Sequence, residues 1–282
     1  MTTAYFDCFS GISGDMTLGA LVGLGVPVEW IQKELEQLPL DEFSLNCGGV
    51  NRNGIHSNLM EIRFEESHHH RNYQTIAAMI EESSFTPWVK RTSLEMFDRV
   101  AAAEAAVHRM PKEKVHFHEV GAMDAIIDIV GTCLGLAYLN IDRVTASPLP
   151  LGSGFVECQH GTLPVPAPAT LEILKGVPVR SGTIAKEMVT PTGAAIISTI
   201  ADRFEPMPLM RVERIAYGAG TRDLGTQPNL LRVILGASEP EDDGRHLERQ
   251  VMVECNIDDM NPEWFGYLME TLFDEKTGPA PW

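Results

Sequence analysis

The segment from Ala122 to Leu139 constrains this chain more than any other. It has the length of an ordinary helix and is apolar on nearly every face, so it needs neighbours on several sides and belongs inside a helical layer. Two carboxylates interrupt it. Asp124 and Asp128 stand four apart and share one helix face. A carboxylate in an apolar segment is costly unless a metal, a cation or hydrogen-bond donors compensate it. The run just before it, Val115 to Gly121, adds His116, His118 and Glu119. On an extended strand, residues two apart face the same side, which aligns the two imidazoles. Imidazole and carboxylate together suit divalent ions such as nickel, zinc, manganese or iron. The competing reading is structural: the aspartates cap neighbouring backbone or pair with arginine in the core.

Around this segment the pattern mixes helices and strands without strict alternation, which points to an α+β fold of mixed sheets packed with helices. Tyr5–Phe9 reads as a strand, followed by helices over 15–24 and 28–38. Strands over 43–50 and 55–64 flank Asn51-Arg52-Asn53-Gly54, a strong hairpin signal. Helices follow over 73–82, 88–110 and 122–139, then 169–174 and 192–201, with strands at 143–146, 154–158, 210–217 and 230–235. Pro164, Pro166 and Pro168 keep their stretch extended. Residues 1–237 are expected to form the N-terminal α+β domain, 238–245 an acidic linker, and 246–282 the incomplete start of a C-terminal domain, with a strand at 250–256 and a helix at 263–273.

With a formal net charge of -17 the chain is a poor partner for nucleic acid or anionic membrane, and a metal cation suits it better. The five cysteines are scattered and form no C-x-x-C pair, so they read as reduced thiols of a cytoplasmic protein. No signal peptide is legible, and no apolar run is long enough to span a bilayer.

Further candidate sites each have a plainer reading. His68-His69-His70 is a low-specificity metal-binding tract or a solvated loop. Ser10, Gly11, Ser13, Gly14 and Asp15 lie between a strand and a helix, where backbone N–H groups can cradle phosphate, or where Ser13 caps the helix. Asp15 would repel phosphate unless a cation bridges them. Thr190 and Thr192 offer a second helix start, with Thr192 as the cap. His160 is a candidate acid or base. Arg222 suits a phosphate or carboxylate, or simply a surface turn. No P-loop, nucleophile elbow or dinucleotide fingerprint is present.

Several strings together resemble the LarC family. They are Ala4–Met16, His68–Arg71, His116–Gly121, His160–Thr170, Thr190–Ala195 and Asn256–Glu263. They span nearly the whole chain. The resemblance implies a nickel insertion protein, a lyase of the cyclometallase type. Its substrate is a pyridinium-3,5-bisthiocarboxylic acid mononucleotide, and its product is the nickel-pincer nucleotide of lactate racemase. It also implies dependence on CTP with Mn²⁺ or Mg²⁺, associated with the C-terminal part of the family. The chain resembles a short form that stops after the helix begun at Glu263, so it is expected to need that part for the full reaction. Forming a nickel–carbon bond requires a base for the departing ring proton. His116, His118, Glu119 and the two aspartates are the candidates, their roles undivided. A nickel carrier or storage protein using His68–His70, and a non-catalytic subunit of a split enzyme, are the alternatives. Homo-oligomers are common among soluble proteins, but no interface signal is legible here.

Overall fold

In the computed structural model of the protein, the described residues are 1–64, 71–112, 115, 117, 123–158, 161–182, 184–238, 261–267 and 271. The chain divides into two compact units, Met1–Pro240 and Glu241–Trp282. The first is α+β. Its elements run β1 (Thr2–Asp7), α1 (Gly14–Gly23), α2 (Val28–Leu35), β2 (Phe43–Arg52), β3 (Ile55–Phe64), α3 (Tyr73–Glu82), α4 (Pro87–His108) and α5 (Met123–Tyr138). Then follow β4 (Arg143–Ala146), β5 (Leu149–Leu151), β6 (Phe155–Cys158), β7 (Gly161–Pro164), α6 (Pro168–Ile173), β8 (Val179–Ser181), α7 (Pro191–Ile200), β9 (Arg203–Phe204), β10 (Met210–Ala219) and β11 (Leu230–Ser238).

Seven strands form one mixed sheet in the order β2-β3-β10-β11-β1-β4-β9. Strand β1 pairs antiparallel with β11 and parallel with β4. The β2–β3 hairpin turns at Asn53 and Gly54, both with positive φ, the conformation that Asn-Gly favours. Two small sheets, β5–β8 and β6–β7, complete the unit. Strands β5, β8 and β9 have two or three residues each, too short to show a period-two pattern in the sequence.

Helix α1 lies on β3, β10 and β11. Gly218 permits this approach, since a Cβ there would fall 1.7 Å from the Met16 carbonyl oxygen. Helix α5 packs against α1, α2, α4 and α7, so it is enclosed by helices. That position explains its apolar character, and thirteen of its sixteen residues are buried. Strand β11 continues through Ser238, where the sequence suggests a linker, because the buried Ser238 hydroxyl pairs with that of Thr3 at 2.6 Å. The strand expected at 250–256 and most of the linker at 238–245 lie outside the described residues; of the helix expected at 263–273, the described residues 264–267 and 271 are helical. Among the described residues no helix is long and apolar enough to cross a membrane.

Candidate functional site

Two sequence motifs far apart in the chain are tied together by backbone. Ile12 and Val189 form a parallel bridge, with Ile12 N–H donating to the Met188 carbonyl at 3.0 Å and Thr190 N–H donating to the Ile12 carbonyl at 3.2 Å. Gly11 makes this possible. Its φ is +91° and a Cβ there would sit 1.8 Å from the Met188 oxygen. Gly193 is equally close on the other side, its absent Cβ 2.2 Å from the Ile12 oxygen. The bridge therefore sets the N-termini of α1 and α7 side by side.

Thr190 is the N-cap of α7, its hydroxyl accepting from Gly193 N–H at 3.1 Å. Thr192, expected as the cap, lies inside the first turn, so the cap moves two residues upstream. Ser13 holds the N-cap position of α1 but makes no side-chain cap. Its hydroxyl donates to the Asp15 carboxylate instead.

A cavity of about 690 Å³ opens over these termini. Ser13, Gly14, Asp15, Asp124, Asp128, Thr190, Thr192 and Arg222 all border it. Ser10 and Gly11 do not. The fold uses the Ser10 hydroxyl, which donates to the Pro228 carbonyl at 2.7 Å and accepts from Gln227 at 2.8 Å. Residues that the motifs did not single out complete the wall: Met60 to Arg63 from β3, Val156 and Glu157 from β6, Leu163 from β7, and Glu187. These carry no local signature, and only the sheet and hairpin geometry brings them in.

The wall is strongly acidic. Six carboxylates face two arginines, and each arginine is already engaged by a glutamate of the same wall. Arg63 pairs with Glu61 at 2.7 Å. Arg222 pairs with the Glu187 carboxylate at 2.7 Å and donates to its carbonyl at 2.8 Å. Arg222 is thus bound within the wall rather than in a free surface turn.

Asp128 is the most unusual group. It is only 9% exposed, and among the described residues its Oδ1 has no hydrogen-bond partner. Helix α1 presses on it at Gly14, where a Cβ would fall 2.1 Å from Asp128 Oδ2. Its pKa is pushed well above the usual carboxylate range, first by burial, then by the charges of Asp15 and Asp124. Burial also raises Asp15, against the opposing hydrogen bond from Ser13. Asp124, at the start of α5, is raised by desolvation and by Asp15, although its Oδ1 accepts from Ala125 N–H at 2.8 Å. The plain structural reading therefore covers Asp124 in part and leaves Asp128 unexplained.

Among the described residues no group of three or more His, Cys, Asp or Glu side chains is placed to hold a metal ion. His68, His69, His70, His116, His118, Glu119 and His160 lie outside the described residues. Asp124 and Asp128 are the parts of the expected nickel site that are described, and they border the same cavity.

The sequence profile described as "Nickel insertion protein" matches residues 4–278. A relative in Geotalea daltonii is 50% identical over 279 residues, covering 98% of this chain and 70% of the relative. In Desulfitobacterium hafniense, two strains carry relatives named pyridinium-3,5-bisthiocarboxylic acid mononucleotide nickel insertion protein. They are 50% and 49% identical over 276 residues, each covering 97% of this chain and 68% of the relative. No solved structure matches the chain. A profile that runs almost end to end, with relatives at half identity, shows the family: the chain belongs to the nickel insertion protein family.

Proposed function

We propose that this chain inserts nickel into pyridinium-3,5-bisthiocarboxylic acid mononucleotide, giving the nickel-pincer nucleotide, and that the acidic cavity is where the substrate sits. The substrate name comes from the Desulfitobacterium relatives. One observation carries the location. Ser13–Asp15, Asp124, Asp128, Thr190, Thr192 and Arg222 come from four separate stretches of sequence and border one cavity of about 690 Å³. That volume is within the ordinary range for a small-molecule site.

The reaction makes a bond from nickel to a ring carbon, so the proton on that carbon must leave to a base. The nickel ion is a substrate here, and imidazole and carboxylate are donors it accepts. Asp124 and Asp128 are proposed to work with His116, His118 and Glu119, which precede α5 in the chain. His160 follows β6 and is kept as a further acid or base. The activity is assigned to the lyase class as a cyclometallase. CTP with Mn²⁺ or Mg²⁺ is proposed as co-reactant, acting through the C-terminal part of the family.

The test is an anaerobic incubation of this chain with the bisthiocarboxylate nucleotide, Ni²⁺, Mn²⁺ and CTP, with and without the C-terminal part of a full-length relative. Nickelated nucleotide is read by mass. Product is expected at least when that part is supplied, and folded Asp124→Ala and Asp128→Asn variants are expected to lose most of it. Absence of product in both arms, or variants turning over like the parent, would overturn the proposal.

A further inference from the structure

The nucleotide named for the Desulfitobacterium relatives carries a phosphate and two thiocarboxylates against a single ring charge, so it is an anion. An anion needs a cation or N–H donors where it docks. Among the described residues Arg63 and Arg222 are the cations of the cavity wall, and they are held differently. The Arg63 and Glu61 side chains are 70% and 43% exposed, so that pair holds neither partner firmly. The Glu187 side chain is 8% exposed and that of Arg222 40%. Drawing Arg222 away would leave a buried carboxylate alone, which is costly. Arg222 therefore stays with Glu187 when the cavity fills.

The pair does not use up the guanidinium. Nη1 donates to the Glu187 carbonyl and Nη2 to its carboxylate, both at the end of the fork. The Nε edge has no acceptor among the described residues, and such an edge takes an oxyanion with paired N–H groups. The backbone is pinned as well, since the buried Asn229 side chain donates to the Arg222 carbonyl at 3.0 Å. Beside the arginine lies a recess of about 100 Å³, which shares Ser13, Asp15, Glu187, Thr190, Thr221 and Arg222 with the main cavity. A cavity of about 150 Å³ is what holds benzene. The recess is thus too small for a ring with two substituents and suits a phosphate. Asp15 opposes an anion there, but the Ser13 hydroxyl donates to it and burial raises its pKa, which lessens the repulsion. Met60, Ile62, Asp124 and Asp128 border the main cavity and not the recess.

We infer that Arg222 binds the substrate's phosphate in this recess, that Glu187 is its positioning residue, and that the nucleotide lies with its ring toward Asp124 and Asp128. This rests on the reading above that the ligand is that mononucleotide. It gives a reason for a buried glutamate beside an anion site. Glu187 weakens the electrostatic pull on phosphate but fixes the guanidinium, so less side-chain freedom is lost on binding.

The probes are the oxygen analogue of the substrate, pyridinium-3,5-dicarboxylic acid mononucleotide, and its riboside, which differ only in the phosphate. Each is titrated by calorimetry into the full chain and into variants at Arg222 and Glu187, with thermal melts to establish folding. The parent is expected to bind the nucleotide about tenfold to a hundredfold more tightly than the riboside, the scale of charge-assisted hydrogen bonds. Arg222→Ala is expected to weaken the nucleotide alone and bring the ratio to within about threefold. If it does not fold, Arg222→Lys, which keeps the charge and loses the fork, should lower the ratio by about threefold or more. Glu187 separates positioning from plain electrostatics. Removing a negative charge beside a phosphate would by itself tighten binding, whereas loss of positioning weakens it. Glu187→Ala is expected to lower the ratio by about threefold or more, and Glu187→Gln, which keeps an acceptor for Arg222, to retain it. If Glu187→Ala does not fold, Glu187→Asp, with its shorter reach, carries the same expectation with a smaller change. No preference for the phosphate in the parent, an Arg222 variant that weakens both probes alike, or a Glu187→Ala protein that binds the nucleotide more tightly would overturn the inference. Nickel insertion without a phosphate preference would sink this inference and leave the proposed function standing. A phosphate preference that depends on Arg222, in a protein that inserts no nickel, would do the reverse.

Discussion

Gly14 is the residue whose replacement tests the geometry of the site most directly. An alanine Cβ there would stand 2.1 Å from Asp128 Oδ2, 2.3 Å from its Cγ and 2.5 Å from its Cβ. Rotating the Asp128 side chain clears the first two atoms but not the third, so α1 and α5 must move apart. Removing a helical glycine by itself stabilises by about 0.5–1 kcal/mol. Overpacking a filled site costs about 1–3 kcal/mol. The clash should win, leaving Gly14→Ala about 1–2 kcal/mol less stable, a loss of roughly 2–4 °C in Tm for each kcal/mol in a unit of this size. Thermal melts followed by circular dichroism, with urea titrations for the free energy, measure it. The double variant Gly14→Ala/Asp128→Ala removes two of the three clashing atoms. It should therefore recover about 0.5–1 kcal/mol relative to the sum of the single changes. A Gly14→Ala protein as stable as the parent, or strictly additive changes, would refute the close approach of α1 to Asp128.

Asp128→Asn tests the buried charge through pH. Its carboxyl binds a proton more tightly folded than unfolded, so the folded state carries more protons above the ordinary carboxylate range. That stabilisation is full below the unfolded value and is lost as pH rises through the raised folded value. Urea midpoints should therefore favour the Asp128→Asn variant over the parent more at about pH 8 than at about pH 4. A difference that does not change with pH would contradict the burial of the charge. Thr190→Ala should lower stability by about 1 kcal/mol through loss of the cap, while Thr192→Ala stays within about 0.5 kcal/mol, both read from thermal melts. Equal effects would move the cap. In thiol labelling of the native protein mapped by mass spectrometry, Cys47 should react before Cys8 and Cys133. Cys47 is half-buried, whereas burial pushes Cys133 up to about 12 and raises Cys8 as well. Early labelling of Cys133 would contradict its enclosure.

Much of the framework is written locally. The Asn53-Gly54 turn, the Gly25 and Pro27 stop after α1, the apolar periodicity of α2 and the alanine-rich run of α4 depend on neighbours in the chain, and the elements form where that chemistry directs. The enclosure of α5 is legible for the same reason, since a segment apolar on all faces has no other place to be. The family is legible as well, because long motifs in a fixed order carry it.

The site was legible only as separate pieces. Sequence marks Asp124 and Asp128 as costly, and it marks the helix starts at Gly14 and Pro191, but it cannot say that they share a cavity. That depends on the Ile12–Val189 bridge, on glycines whose missing side chains admit a facing backbone, and on β3 and the β6–β7 hairpin reaching the same space. Nor does sequence foretell that Arg222 is held by Glu187 or that Ser10 is consumed by Pro228. Hydrogen bonds across 35 and 218 residues have no local signature. By itself the sequence determined the longer elements, the family and the residues worth suspecting, because propensity, periodicity and motif are properties of short stretches. Only the tertiary structure decided which of those residues meet and that Asp128 is buried beside Asp15 and Asp124, because burial and electrostatic coupling arise between segments that the chain keeps far apart.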